Sequence, residues 1–163
     1  MKRNSSQMPR FPWSTEEGYL DFSKVSIDGI LKRSLSPDIT PFRSACQTLG
    51  TMQANGRAEA EVYLVGLFYH FRDDLLRLAS IVEHLPKDSR SAQMLIAELY
   101  RVKGSNSTRR YLGIVVKTLA GYPRPLIEED LERLSRDKTL SVRMRAKFEA
   151  YLDKGRFGDD FWA

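Results

Sequence analysis

Apolar side chains in this chain recur at three- and four-residue steps over most of its length, and no run between turn signals alternates apolar with polar as a half-buried strand would. The pattern predicts helices throughout. Ser14-Thr-Glu-Glu17 matches a capping box and predicts a short helix ending near Asp21 to Ser23. The segment from Lys24 to Asp38 has room for one more short helix. Thr40-Pro41 marks the next start, since proline in a first helical turn loses no hydrogen bond, and Asn55-Gly56 closes that helix after about Gln53.

The longest periodic stretch is Arg57 to Leu85, where Leu64, Leu67, Phe68, Phe71, Leu75, Leu78, Val82 and Leu85 fall on one stripe. Val62, Tyr69 and Leu76 lie on roughly the opposite side, so the pattern predicts a single central helix with neighbours on both faces, stopped by Pro86. Ser89 or Ser91 opens a helix carrying Met94, Leu95, Leu99 and Val102, and Lys103-Gly104-Ser-Asn-Ser ends it. A third group of helices occupies Asn106 to Leu152. In its first member Leu112, Val115, Val116 and Leu119 form the inward stripe, while Arg110, Gly113 and Lys117 share another side. After Gly-Tyr122-Pro-Arg124-Pro, acids Glu128 to Asp130 precede Arg133 and Arg136, the order that suits a helix dipole. The last member sets Val142, Ala146 and Ala150 against Met144, Phe148, Tyr151 and Leu152, and predicts close helix contact on its small side.

A period runs through these helices. Arg77, Arg110 and Arg143 are each 33 residues apart, followed three residues on by Ser80, Gly113 and Ala146, and five residues on by Val82, Val115 and Phe148. The segment Val142-Arg143-Met-Arg-Ala146-Lys-Phe-Glu-Ala150-Tyr-Leu152 resembles the second helix of a HEAT repeat, a Val-Arg pair followed by small residues at helical spacing. The expected fold is therefore all-α: stacked antiparallel helical hairpins, either a short HEAT- or ARM-like solenoid or a helical bundle. Its hairpins are best defined over 91–154, within a domain of 13–163 that follows a flexible segment of 1–12. A generic bundle in which the three arginines coincide by chance is the competing reading. The resemblance makes Arg143 a structural arginine and leaves Arg110 and Lys117, flanking Gly113, as the better ligands.

Charge adds a location to this picture. The formal net charge is +5. Residues 1–99 carry twelve basic and twelve acidic side chains, so the whole excess lies beyond them. No acid occurs between Glu98 and Glu128, whereas Arg101, Lys103, Arg109, Arg110, Lys117 and Arg124 accumulate there. Such a field steers acidic proteins or phosphates, and salt weakens it. The bland reading is a solvated face whose charges are met by acids brought close in the fold. One cysteine, Cys46, gives no internal disulfide and fits a reducing compartment. No apolar h-region follows the basic N-terminus and no apolar run approaches the roughly 20 residues of a membrane span. The expectation is a cytoplasmic protein with no membrane association.

Catalytic chemistry is thin. His70 and His84, on one continuous helix, would stand about 21 Å apart, too far to share a metal or a proton. Asp73 and Asp74 are adjacent and diverge around a helix, and there is no phosphate-cradling glycine loop, His-Glu-x-x-His or Cys-x-x-Cys. A helical enzyme built on Tyr69, Asp73 and Asp74 is the weakest reading, and neither cofactor nor metal is expected. Recognition fits better. Arg109, Arg110, Lys117 and Arg124, interleaved with Tyr111 and Tyr122, supply charge and contact area, and Phe161 and Trp162 near the C-terminus either cap the last hairpin or anchor a partner. In size and architecture the chain resembles the immunity proteins of bacterial contact-dependent growth inhibition systems. That resemblance implies a protein-binding module, not an enzyme, that neutralises a cognate toxin domain, commonly a nuclease. The alternative is a HEAT-like protein that binds nucleic acid through the same basic face.

Overall fold

The computed structural model describes residues 14–17 and 19–158, with the side chains of 155–158 left aside. The described residues form eight α-helices: α1 Asp28–Ser34, α2 Ile39–Ala54, α3 Ala58–His70, α4 Leu75–Val82, α5 Ser89–Arg101, α6 Arg109–Ala120, α7 Arg124–Arg136 and α8 Val142–Gly158. No strand occurs among them, only an isolated antiparallel bridge from Ser14 to Leu20. The chain is all-α, as its periodicity predicts. The segment 1–12 lies outside the described residues, as do Phe161 and Trp162.

Consecutive helices pack on one another from α1 through α4, and then α5 on α6 and α7 on α8. The even-numbered helices also touch in order, α2 on α4, α4 on α6 and α6 on α8, so they make a row across the molecule. What drives this row is the apolar stripe of each helix. Leu49, Leu78, Ile81, Leu95, Val115, Leu119, Leu134 and Phe148 are fully buried in one cluster that reaches from Ile30 to Leu152. Val82, Val115 and Phe148, the apolar residues of the 33-residue period, are all completely excluded from solvent. Each aliphatic side chain buried in this way contributes about 1.5–3 kcal/mol before chain entropy is set against it.

The predicted Arg57 to Leu85 helix is two helices. Its apolar stripe is continuous, but Asp74 takes an extended-like backbone (φ −103°, ψ 88°) and its carboxylate accepts the amide hydrogens of Leu76 and Arg77 at the start of α4. A carboxylate that caps two of the free amides at a helix start competes with helix continuation, and here it wins. Arg77 fixes the turn. It pairs with Asp74 at 2.7 Å, donates to the carbonyls of Ser36 at 3.1 Å and Pro37 at 2.6 Å, and lies over the rings of Phe42 and Phe71. The break also removes the second packed face: Val62, Tyr69 and Leu76 are exposed, not sandwiched. Helix α4 ends at Val82, before Pro86.

Two other expectations fail locally. Ser14 to Glu17 starts no helix; Thr15 instead exchanges hydrogen bonds with Tyr19, its amide donating to the Tyr19 carbonyl and its hydroxyl accepting from the Tyr19 amide. On α8 the small side faces solvent, with Val142 74% exposed and Ala146 and Ala150 also exposed, so no helix approaches it among the described residues. The start of α2 is supplied by Asp38, whose carboxylate accepts from Thr40, and Asn55 with Gly56 (φ +86°) ends it as predicted. Gly50 is where α2 closes on the turn after α4: a Cβ there would stand 2.8 Å from that of His84.

Candidate docking face

The row of α2, α4, α6 and α8 presents two grooves separated by α6. On one side of α6, residues Ser107, Arg110, Tyr111 and Ile114 look toward α4; on the other, Arg109, Leu112, Gly113 and Val116 look toward α8. The ridge between carries Arg110, Gly113 and Lys117 one turn apart, and Gly113 has open space where a side chain would begin.

The groove between α6 and α8 has a volume of about 390 Å³. Its floor is Leu112, Val116 and Met144, and its basic lining is Arg109, Arg143 and Lys147 with no carboxylate among the lining residues. All three cations are exposed, and among the described residues none has an ion-pair partner. The third wall is the loop of Gly104 to Asn106. It is tied by hydroxyls: Thr108 donates to the Lys103 carbonyl at 2.7 Å and accepts from the Ser105 amide at 2.9 Å. Ser141 opens α8 on the facing side, its hydroxyl accepting from the Met144 amide.

The structure divides the basic run. Arg101 is neutralised: Glu98, 2% exposed, accepts from its guanidinium at 2.7 and 2.6 Å and from the Tyr111 hydroxyl at 2.7 Å. Burial first, and then the Glu98 carboxylate, push the Tyr111 phenol well above its ordinary range. The same carboxylate raises Arg101. Arg124 pairs with Glu128 at 3.0 Å and donates to the Leu152 carbonyl, which ties α7 to α8. Lys103, Arg109, Arg110 and Lys117 are left exposed, with no ion pair among the described residues.

Of the residues singled out in the sequence, Arg109, Arg110 and Lys117 are therefore all exposed on α6, but Arg109 lines the groove toward α8, Arg110 the groove toward α4, and Lys117 neither. Tyr111 and Tyr122 do not join them. Both are buried, and Tyr122 donates to the Pro86 carbonyl at 3.0 Å while burial pushes its phenol up to about 12. Arg124 stands apart, lining a cleft with Tyr122, Glu128 and Tyr151. Two members of the basic groove are new. Arg143, read as structural, is exposed and unpaired among the described residues, and Lys147 lies one turn beyond it. The i, i+4 spacing of these two on an exposed stripe was the available signal.

Little else in the described residues invites chemistry. No group of three or more metal-ligating side chains occurs there, and burial pushes the Cys46 thiol up to about 12, which leaves it unreactive near neutral pH. Asp74 is engaged with Arg77, and Tyr69 stands exposed on α3. No helix of the described residues is long and apolar enough to cross a membrane. Comparison with known protein families, with characterised proteins and with solved structures finds no match for this chain.

Proposed function

We propose that this protein is a binding module, a HEAT-like stack of hairpins that docks an acidic protein surface on the face of α6 and α8. The observation that carries this reading is the α6–α8 groove, where Arg109, Arg143 and Lys147 surround an apolar floor with no lining carboxylate. Unpaired cations at a rim raise the association rate and reject like-charged partners, while an apolar floor offers an anchor pocket for one side chain of the partner. The contact order of α2, α4, α6 and α8, together with the burial of Val82, Val115 and Phe148 at one period, supports the stacked-hairpin reading.

The resemblance to immunity proteins makes a toxin domain the first partner to test. The experiment is genetic. The product of the reading frame adjacent to this chain's gene is expressed alone and together with the chain. The expected result is arrest alone and growth together, with protection lost on combining Arg109→Glu and Arg143→Glu while the unfolding midpoint stays put. Full protection by that variant overturns the docking face, and a harmless neighbour overturns the immunity reading.

The second reading, nucleic-acid binding, draws on the same three cations as phosphate contacts. Aliphatic Leu112, Val116 and Met144 at the groove floor, in place of an aromatic stacking platform, favour protein. Binding of short duplex DNA or RNA that weakens steeply with salt, and vanishes in the same variant, decides for nucleic acid.

A further inference from the structure

The groove on the other side of α6 is built differently. It has a volume of about 470 Å³, within the usual range for small-ligand sites, and draws on three helices. Arg43 comes from α2 and Arg110 from α6, with α4 running between them. Leu75, Ala79 and Ile114 supply apolar surface, and Gln47, Ser80 and Ser107 supply neutral hydrogen-bonding groups. His84 lies half-buried in the wall, so close to Gly50 that a side chain there would meet its ring.

The charges here are unsettled. Arg57, Arg77, Arg101 and Arg124 each find a carboxylate within 3.3 Å. Arg43 and Arg110 find none among the described residues, although Glu83, the single lining carboxylate, shares their groove. A guanidinium is a planar fork that matches phosphate or carboxylate oxygens in pairs. One fork satisfies a carboxylate. Two forks on opposite flanks, with a third helix between, suit a group that carries two negative charges and accepts from several directions.

We propose that the α2–α4–α6 groove is a binding site for a small phosphate monoester, with Arg43 and Arg110 holding the phosphate and the Leu75, Ala79 and Ile114 surface receiving the body of the molecule. Glu83 opposes a dianion, so it limits affinity and favours ligands that bring a hydrogen-bond donor to it. The site is separate from the α6–α8 groove: Arg43 and Glu83 belong to it alone, as Arg143 and Lys147 belong to the other.

The test is calorimetric titration of the whole chain with phenyl phosphate near neutral pH, and with inorganic phosphate as the fragment. Saturable binding is expected, tighter for phenyl phosphate. Arg43→Gln and Arg110→Gln each weaken it by about 10-fold or more, the usual loss for a charge-assisted contact. Glu83→Gln tightens binding severalfold, a gain that no damage to the fold produces. Arg143→Gln leaves it within about twofold, the scale of a remote surface charge. The proposal is overturned if phenyl phosphate fails to saturate the protein at millimolar concentration, if the Arg43 and Arg110 variants bind like the parent, or if Arg143→Gln weakens binding as much as they do. None of these outcomes bears on partner docking at α6 and α8, whose own variants leave Arg43 intact.

Discussion

Arg77 and Arg143 occupy the same register of a 33-residue period, and the fold treats them in opposite ways. Arg77 is enclosed by a carboxylate, two backbone carbonyls and two phenyl rings at the α3–α4 turn. Arg143 opens onto a groove with no carboxylate in its lining. The difference lies in the neighbours. Asp74 precedes Arg77 by three residues, and the α1–α2 connection brings the carbonyls of Ser36 and Pro37 to it. The corresponding position before Arg143 is Leu140, which is buried in the core and can satisfy no charge. One arginine is thus bound into the structure and the other is left exposed, with no ion pair among the described residues.

Removing each arginine should separate these roles. Arg77→Ala leaves Asp74 unpaired, frees two carbonyls and exposes two rings, and is expected to cost about 3 kcal/mol in urea unfolding. A loss under about 0.5 kcal/mol, typical of an exposed site, would make the two positions equivalent. The Glu98 cluster tests whether a second cation is as firmly held. Tyr111→Phe removes one of three hydrogen bonds to a buried carboxylate and should cost about 1.5 kcal/mol by the same measurement.

Acid offers a gentler probe. Burial holds the His84 imidazole below its ordinary range, a shift only partly offset by Glu83. A folded pKa below the unfolded one means that stability present above about pH 6.5 is lost as pH falls through the lower folded value. Unfolding midpoints should therefore decline on acidification below that point, and His84→Gln should flatten that part of the profile. The smallest effect belongs to the groove. Arg143→Ala is expected to change stability by less than about 0.5 kcal/mol, and a larger loss would make this arginine structural after all.

The course of α5 and α6 is largely legible in the sequence, because its stripes and turns are local, whereas the Arg143 and Lys147 side of the groove is not. The Leu112 to Leu119 stripe, the turn after Arg101 and the placement of Arg110 and Lys117 on one side of α6 all follow from spacing within a few residues. The α3–α4 break did not, since apolar Phe71 and Leu75 continue the stripe across it. Asp74, a good capping residue, is the one local cue to the break. The burial of Tyr111 and Tyr122 does not show in local spacing, because their partners, Glu98 and Pro86, lie 13 and 36 residues away. Arg124 carried a visible warning in Glu128 four residues on. The small side of α8 satisfies the spacing rule for close helix contact, yet spacing says nothing about whether a neighbour is present.

The most direct test of the proposed docking face is the affinity of the chain for the partner that the growth-rescue experiment would identify, measured with Arg109→Glu and Arg143→Glu combined, across a range of salt concentrations. A large loss of affinity, a weaker salt dependence than that of the parent chain, and an unchanged unfolding midpoint are expected. Parental affinity with parental salt dependence in that variant would contradict the proposed face and return the basic groove to simple solvation.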